Sequence, residues 1–194
     1  MSNIYESGHY YHVYNRGMSK QQIFFEKSDK SFLLKRASEL QLGLNGHHDV
    51  SLATYCLMDN HYHFLLRQES EGGVSRYMQR LGTSYMMRWN KKYECSGRLF
   101  QGPCKVKRID SEAYLVHLIR YIHMNPLGIS ARTALARGSL TQSIAYLRKY
   151  EWSDCKKYLA GNGILSDLFL PLSYEIFLSQ WMLWPVDSLF QGDA

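Results

Sequence analysis

Nowhere in this chain do two cysteines form a C-x-x-C pair. The four that occur, Cys56, Cys95, Cys104 and Cys155, are scattered, so zinc-ribbon and disulfide-framework readings fall away and reduced thiols in a cytoplasmic protein are expected. The sequence also lacks an uninterrupted apolar run. Its most apolar stretch, "ILSDLFLPLSYEIFLSQWMLWPVDSLF", is broken by Asp167, Pro171, Glu175 and Pro185, which argues against a membrane span. The beginning, "MSNIYESGHYYHVYNRG", has no basic stretch leading into an apolar one, so no secretory signal is expected. Repeats and low-complexity segments are missing too. At 194 residues the chain is long enough to bury a core without disulfide or metal staples.

Charge is present but unevenly placed. The formal net charge is +6, and residues 88 to 108, "RWNKKYECSGRLFQGPCKVKR", hold seven basic residues and one acidic one, whereas the rest of the chain holds 16 of each. The whole excess therefore falls in one segment, interleaved with Trp89, Tyr93 and Phe100, as on a surface that meets a polyanion and stacks bases. An ordinary solvated lysine-rich face has the same composition. Within it Arg98, Lys105, Lys107 and Arg108 are the candidates for phosphate contacts.

The order of elements follows from periodicity. "YYHVYNRG" alternates as a first strand ending at Gly17, and "SDKSFLLKRASELQLGLN" places Phe32, Leu33, Leu40 and Leu44 at helical intervals, predicting a helix from Ser28 to about Asn45. "DVSLATYCLM" and "HYHFLLRQ" read as two strands joined at Asp59-Asn60, a pair tolerant of positive φ and suited to a two-residue hairpin. A second helix, weakened at Gly82, is expected over "VSRYMQRLGTSYMMRWNKKY", then a fourth strand over "GRLFQGPCKVKRI", broken or bulged at Gly102-Pro103. "DSEAYLVHLIRYIHMNP" predicts a third helix capped by Asp110 or Ser111 and stopped by Pro126. The first six elements match a ferredoxin-like βαββαβ unit, an α/β (α+β) fold with a mostly antiparallel sheet.

Two features in this frame bear on chemistry. In "NHYHFLL", strand alternation turns His61, His63 and Leu65 to one face. Paired imidazoles are either core packing or half of a metal site. In the third helix Leu115, Leu118, Ile119 and Ile122 form an apolar stripe, while Tyr114, Tyr121 and Asn125 share a neighbouring one with His117 at its edge. Tyr121 and Asn125, one turn apart, present a phenol and an amide together. His123 points the other way, about 200° from Tyr121 at the helical period. His9, His12, His47 and His48 have no partner identifiable from the sequence.

"NHYHFLL" followed by "GRLFQGPCKVKRIDSEAYLVHLIRYIHMNPLG", with "YHVYNRG" before and "YEWSDCKKYL" after, resembles the single-tyrosine transposases of the HUH superfamily, in particular the REP-associated tyrosine transposase branch. The resemblance implies a domain over residues 1–160 with its catalytic helix at about 111–125, and leaves residues 161–194 as a C-terminal extension. It implies His61 and His63 as the histidine pair, Tyr121 as nucleophile and Asn125 as third ligand of a Mg²⁺ or Mn²⁺ ion; related insertion-sequence enzymes often use glutamine in place of that asparagine. The expected activity is cleavage and rejoining of single-stranded DNA, at a hairpin from a repetitive extragenic element, through a 5′-phosphotyrosine with a free 3′-hydroxyl. Members act as a monomer or homodimer, with the tyrosine helix serving its own subunit or the partner. Two other functions fit parts of the sequence: a domesticated, catalytically silent single-strand-binding protein, and a metal-dependent hydrolase of small phosphoesters. The hydrolase leaves Tyr121 and the basic segment without a role.

Overall fold

The structure is a computed structural model and describes residues 5–128 and 140–165. Most of the expected extension, from residue 166 onward, lies outside the described residues. The elements are β1 (Tyr10–Arg16), α1 (Lys27–Glu39), β2 (Val50–Leu57), β3 (His61–Gln68), α2 (Gly73–Tyr93), β4 (Lys105–Arg108), α3 (Glu112–Met124), α4 (Leu140–Lys149) and α5 (Cys155–Leu159). The sheet has the order β2-β3-β1-β4 with every pair antiparallel, the ferredoxin-like arrangement that the order of elements implied. No described helix is long and apolar enough to cross a membrane.

Both sheet faces are covered, and alternation decides what each face meets. Tyr11, Val13, Phe64 and Leu66 pack against Leu33 and Ala37 of α1 and Tyr77, Leu81 and Tyr85 of α2. On the opposite face Ala53, Cys56 and Leu65 meet Leu118, Ile119 and Ile122 of α3, together with Tyr158. Those three α3 residues are fully buried, which is worth about 1.5–3 kcal/mol each. The predicted apolar stripe thus holds α3 on the sheet, and Leu118→Ala should cost roughly 2–5 kcal/mol in urea unfolding. A loss below about 1 kcal/mol, the scale of a surface change, would mean that α3 is not docked there.

Some local expectations are corrected. Helix α1 ends at Glu39, six residues before Asn45, because the chain folds back through Gly43 N–H to His47 O (2.7 Å) and Asp49 N–H to Gln41 O (2.8 Å). Leu44, read as part of the apolar stripe, is 90% exposed in that loop. The Asp59-Asn60 turn uses no positive φ; it is pinned by tertiary bonds instead, with Ile23 and Phe24 N–H donating to Asp59 O and Lys30 Nζ 2.7 Å from the Asp59 carboxylate. Helix α2 runs through Gly82 without a break. The fourth strand is interrupted at Gly102-Pro103, as expected, with Lys105–Arg108 on one side and Phe100 bridging separately to Gly17 on the other. Gly17 must stay small there, since a Cβ would lie 2.1 Å from the Gln21 carbonyl oxygen.

Candidate active site

Register places the polar residues of the α3 side in rows across the sheet. His63 lies opposite Tyr14, which lies opposite Lys105; Leu65 lies opposite His12, which lies opposite Lys107; and His61 lies opposite Arg16. Residues directly across a pair share a face, so the histidine pair, β1's Tyr14 and two lysines of β4 all look toward α3.

Helix α3 brings its polar stripe to this face. Ser111 caps it by accepting the Tyr114 N–H (3.2 Å). At its far end Asn125 enters a short 3-10 turn ahead of Pro126. The Tyr121 ring stands edge-on to His63 with centroids 5.4 Å apart, and Asn125 Oδ1 lies 3.2 Å from His61 Nε2. His61, His63, Tyr121 and Asn125 are therefore brought together, from two strand positions and one helix turn. His63 and Asn125 are buried, while His61 and Tyr121 are partly open.

The hydrogen bonds around the two imidazoles orient their ring nitrogens. Asn60 donates its amide N–H to Lys20 O (3.1 Å) and so turns Oδ1 to His61 Nδ1 at 2.7 Å. Asn125 donates to Tyr121 O (3.3 Å), which turns its Oδ1 to His61 Nε2. A neutral imidazole has one N–H. With that proton on Nδ1, the shorter contact, the Nε2 lone pair and the Asn125 oxygen converge as two Lewis donors, a pairing that suits a shared cation. His63 is held likewise through Nδ1, 2.9 Å from His12 Nε2. Among the described residues no cluster of three or more His, Cys, Asp or Glu is arranged for a metal. A cation here would rest on two imidazoles and an amide oxygen, with positions left open.

His12 is the contributor that sequence reasoning missed. It is 1% exposed and stacks on Tyr14 (4.7 Å) and His63 (5.2 Å). Its signal was the β1 alternation, but only the β1–β3 register reveals that it stands diagonal to His63. His117, placed by sequence at the edge of the stripe, has Nδ1 2.5 Å from Arg120 Nη2, and burial and then that guanidinium hold its pKa below the usual imidazole range.

The basic segment does not form one patch. Lys105 Nζ lies 5.5 Å from the Tyr14 ring and Lys107 Nζ 5.0 Å from the Tyr114 ring, both beside the histidines. Arg108 alternates to the α1/α2 side and pairs with Glu6 (2.9 Å) and Asp110 (3.1 Å). Arg98 is exposed in the α2–β4 connection. Lys92 pairs with Glu26 and Asp29, and Arg88 lies over Phe32. Trp89 and Phe100 are partly buried and pack against the core, with one side of each left accessible.

Comparison with known proteins bears on family and fold. A family model described as IS200-like transposase matches residues 5–125. Among solved structures, a REP-associated tyrosine transposase bound to a REP hairpin is similar in fold, with a TM-score of 0.58 at 11% identity over 82% of this chain and 84% of that one. A comparison with curated proteins gave no match.

Proposed function

The chain belongs to the IS200-like transposase family, and from that premise we propose that it cleaves and rejoins single-stranded DNA at a hairpin, with Tyr121 as nucleophile and His61, His63 and Asn125 as ligands of a Mg²⁺ or Mn²⁺ ion. The observation that carries this is the meeting of one turn of α3 with the imidazole pair: Asn125 Oδ1 at 3.2 Å from His61 Nε2 and the Tyr121 ring edge-on to His63. A divalent ion would supply Lewis acidity at a nonbridging phosphate oxygen.

The residues of the chain do the rest. The Tyr121 phenolic oxygen attacks phosphorus and gives up its proton to solvent, the P–O3′ bond breaks, and the 3′ oxygen leaves as a hydroxyl by taking one proton from solvent, so that no proton is gained or lost overall. The 5′-phosphate stays on Tyr121 as a phosphodiester. Because one such linkage replaces another, attack by a 3′-hydroxyl reverses the step without ATP. His12 holds His63 through Nδ1, and Asn60 holds His61 in the same way, fixing the ring orientation that a ligand needs. Lys105 and Lys107 flank the site on the same face and suit the phosphates of an unpaired strand.

That placement sharpens the expectation for the basic segment. Each phosphate neutralised on a single strand contributes about 0.7 to the slope of log K against log salt, so neutralising Lys105 and Lys107 together should reduce that slope by about 1.4. Neutralising Arg108, already paired with two carboxylates, should leave it nearly unchanged. The reverse pattern would move the DNA path to the α1/α2 side. The activity itself is tested by incubating the protein with end-labelled single-stranded hairpin DNA and Mn²⁺, followed by denaturing electrophoresis. A protein-linked labelled band is expected; small released products with no adduct would favour a hydrolase, and binding without cleavage a silent DNA-binding protein.

A further inference from the structure

A second polar cluster lies behind α3, on the side away from Tyr121. Thr54 and His123 are fully buried and Asp154 is 5% exposed. The Thr54 hydroxyl donates to Asp154 Oδ1 at 2.6 Å, and Tyr55 N–H donates to the same oxygen at 3.0 Å. His123 Nε2 stands 3.1 Å from that oxygen and 2.6 Å from Thr54 Oγ1. Three parts of the chain meet there: β2, α3 and the residue that opens α5.

A hydroxyl, an imidazole and a carboxylate invite comparison with a hydrolytic triad, but the connectivity is wrong for one. In a triad the two ring nitrogens separate hydroxyl from carboxylate, whereas here the same nitrogen faces both. The hydroxyl donates its hydrogen bond directly to the carboxylate and has no exposed face. The cluster is therefore built to hold rather than to react.

What it holds follows from its position. His123 lies midway between Tyr121 and Asn125 along the helix and on the opposite side, so fixing it fixes the rotation and the height of that turn. The apolar contacts of Leu118, Ile119 and Ile122 are non-directional and tolerate small slides and rotations; hydrogen bonds of 2.6–3.1 Å do not. Asp154 is anchored in turn by its neighbours. Leu57 N–H donates to Trp152 O (2.8 Å), and the hydroxyls of Tyr150 and Tyr158 donate to Leu57 O (2.7 Å) and Ala53 O (3.0 Å), so residues 150–158 run along the outer edge of β2. Asp154 occupies the N-cap position of α5 yet makes no side-chain cap bond, and Ser153 Oγ takes the Cys155 N–H instead (3.0 Å). Its carboxylate is directed to β2 and α3.

We infer that Thr54, His123 and Asp154 are positioning residues that lock the back of α3 and thereby set Tyr121 and Asn125 against the histidine pair. The lock is supplied partly from beyond residues 5–125, the span of the family match. It rests on the proposed reaction for its purpose, but not for its existence.

The test uses the full chain with Thr54→Val, which removes only the hydroxyl's bonds, and Thr54→Ser, which restores them. In folded Thr54→Val, hydrogen exchange across residues 117–124 should accelerate, and single-turnover cleavage of the hairpin should slow by about 10- to 100-fold, the scale of a small misplacement of reacting groups. The hairpin Kd should stay nearly unchanged, and Thr54→Ser should recover both exchange and rate. Should Thr54→Val not fold, Thr54→Ala, which also removes the hydroxyl's bonds to Asp154 and His123, is held to the same expectations. Parental cleavage rates and parental exchange in a folded variant would overturn the lock. Absence of any adduct from the parent protein would sink the proposed reaction instead, while the exchange arm still decides the lock.

Discussion

Tyr121→Phe is expected to abolish the covalent protein–DNA species and to lower strand cleavage by on the order of 10³-fold or more, as loss of a nucleophile does, while hairpin binding persists. Phenylalanine keeps the ring that stands edge-on to His63 and removes one oxygen. The packing of α3 rests on Leu118, Ile119 and Ile122, which are fully buried on a different stripe, so stability should change by less than about 1 kcal/mol. Thermal unfolding and a binding isotherm check those two points. An unfolded variant would mark Tyr121 as structural. A retained adduct would move the nucleophile elsewhere, and Tyr114, beside Lys107, would be next to test.

Removing either imidazole should be nearly as damaging. His61→Ala and His63→Ala should each lower Mn²⁺ affinity and Mn²⁺-dependent cleavage by at least about 100-fold, above the 10- to 100-fold typical of residues that only orient a ligand. His12→Ala, which touches His63 through Nδ1, should fall in that lower range. Asn125→Ala should weaken both properties, and Asn125→Gln should retain more because it keeps an amide oxygen. Titration of each folded variant with Mn²⁺ reads affinity apart from activity. Equal cleavage by the parent with and without EDTA would end the metal hypothesis, and a His61→Ala variant with parental Mn²⁺ affinity would remove that residue from the ligand set.

That His61 and His63 share one face and Tyr121 and Asn125 one stripe was legible in the sequence because each pairing depends on local periodicity, while their roles were what the family resemblance implied. His-x-His on a strand must share a face, and Tyr-x-x-x-Asn on a helix must share a stripe, whatever the tertiary structure. The element order then selected the βαββαβ core, which leaves one sheet face for α3. What could not be read depended on register and on distant segments. His12 meets His63 only because β1 pairs with β3 in one register, and a slip of a single residue would send it to the α1/α2 side. Thr54, His123 and Asp154 come from positions 69 and 31 residues apart, and no local pattern marks them. The helical period turns His123 away from Tyr121, and it does point away; its contacts behind the helix are the part that periodicity cannot supply. How the basic segment is divided between the two sides of the fold was hidden for a related reason. Net charge is a sum over residues, but Arg88, Lys92 and Arg108 turn to one side of the fold and Lys105 and Lys107 to the other.

The helix end at Glu39 shows where periodicity misleads in the other direction. Leu40 and Leu44 continue the spacing of α1, yet only Leu40 is buried. A spaced apolar residue signals a helix face only if the backbone continues, and the Gly43 turn stops it.

The central claim is that Tyr121 forms a covalent bond to DNA with His61, His63 and Asn125 beside it. The most direct measurement is proteolysis of the adduct formed on single-stranded hairpin DNA with Mn²⁺, followed by mass spectrometry of the nucleotide-bearing peptide. A 5′-phosphate on Tyr121, with a free 3′-hydroxyl on the released strand, is the predicted result. A nucleotide on any other residue, or 5′-phosphate ends released by water with no peptide attached, would contradict it.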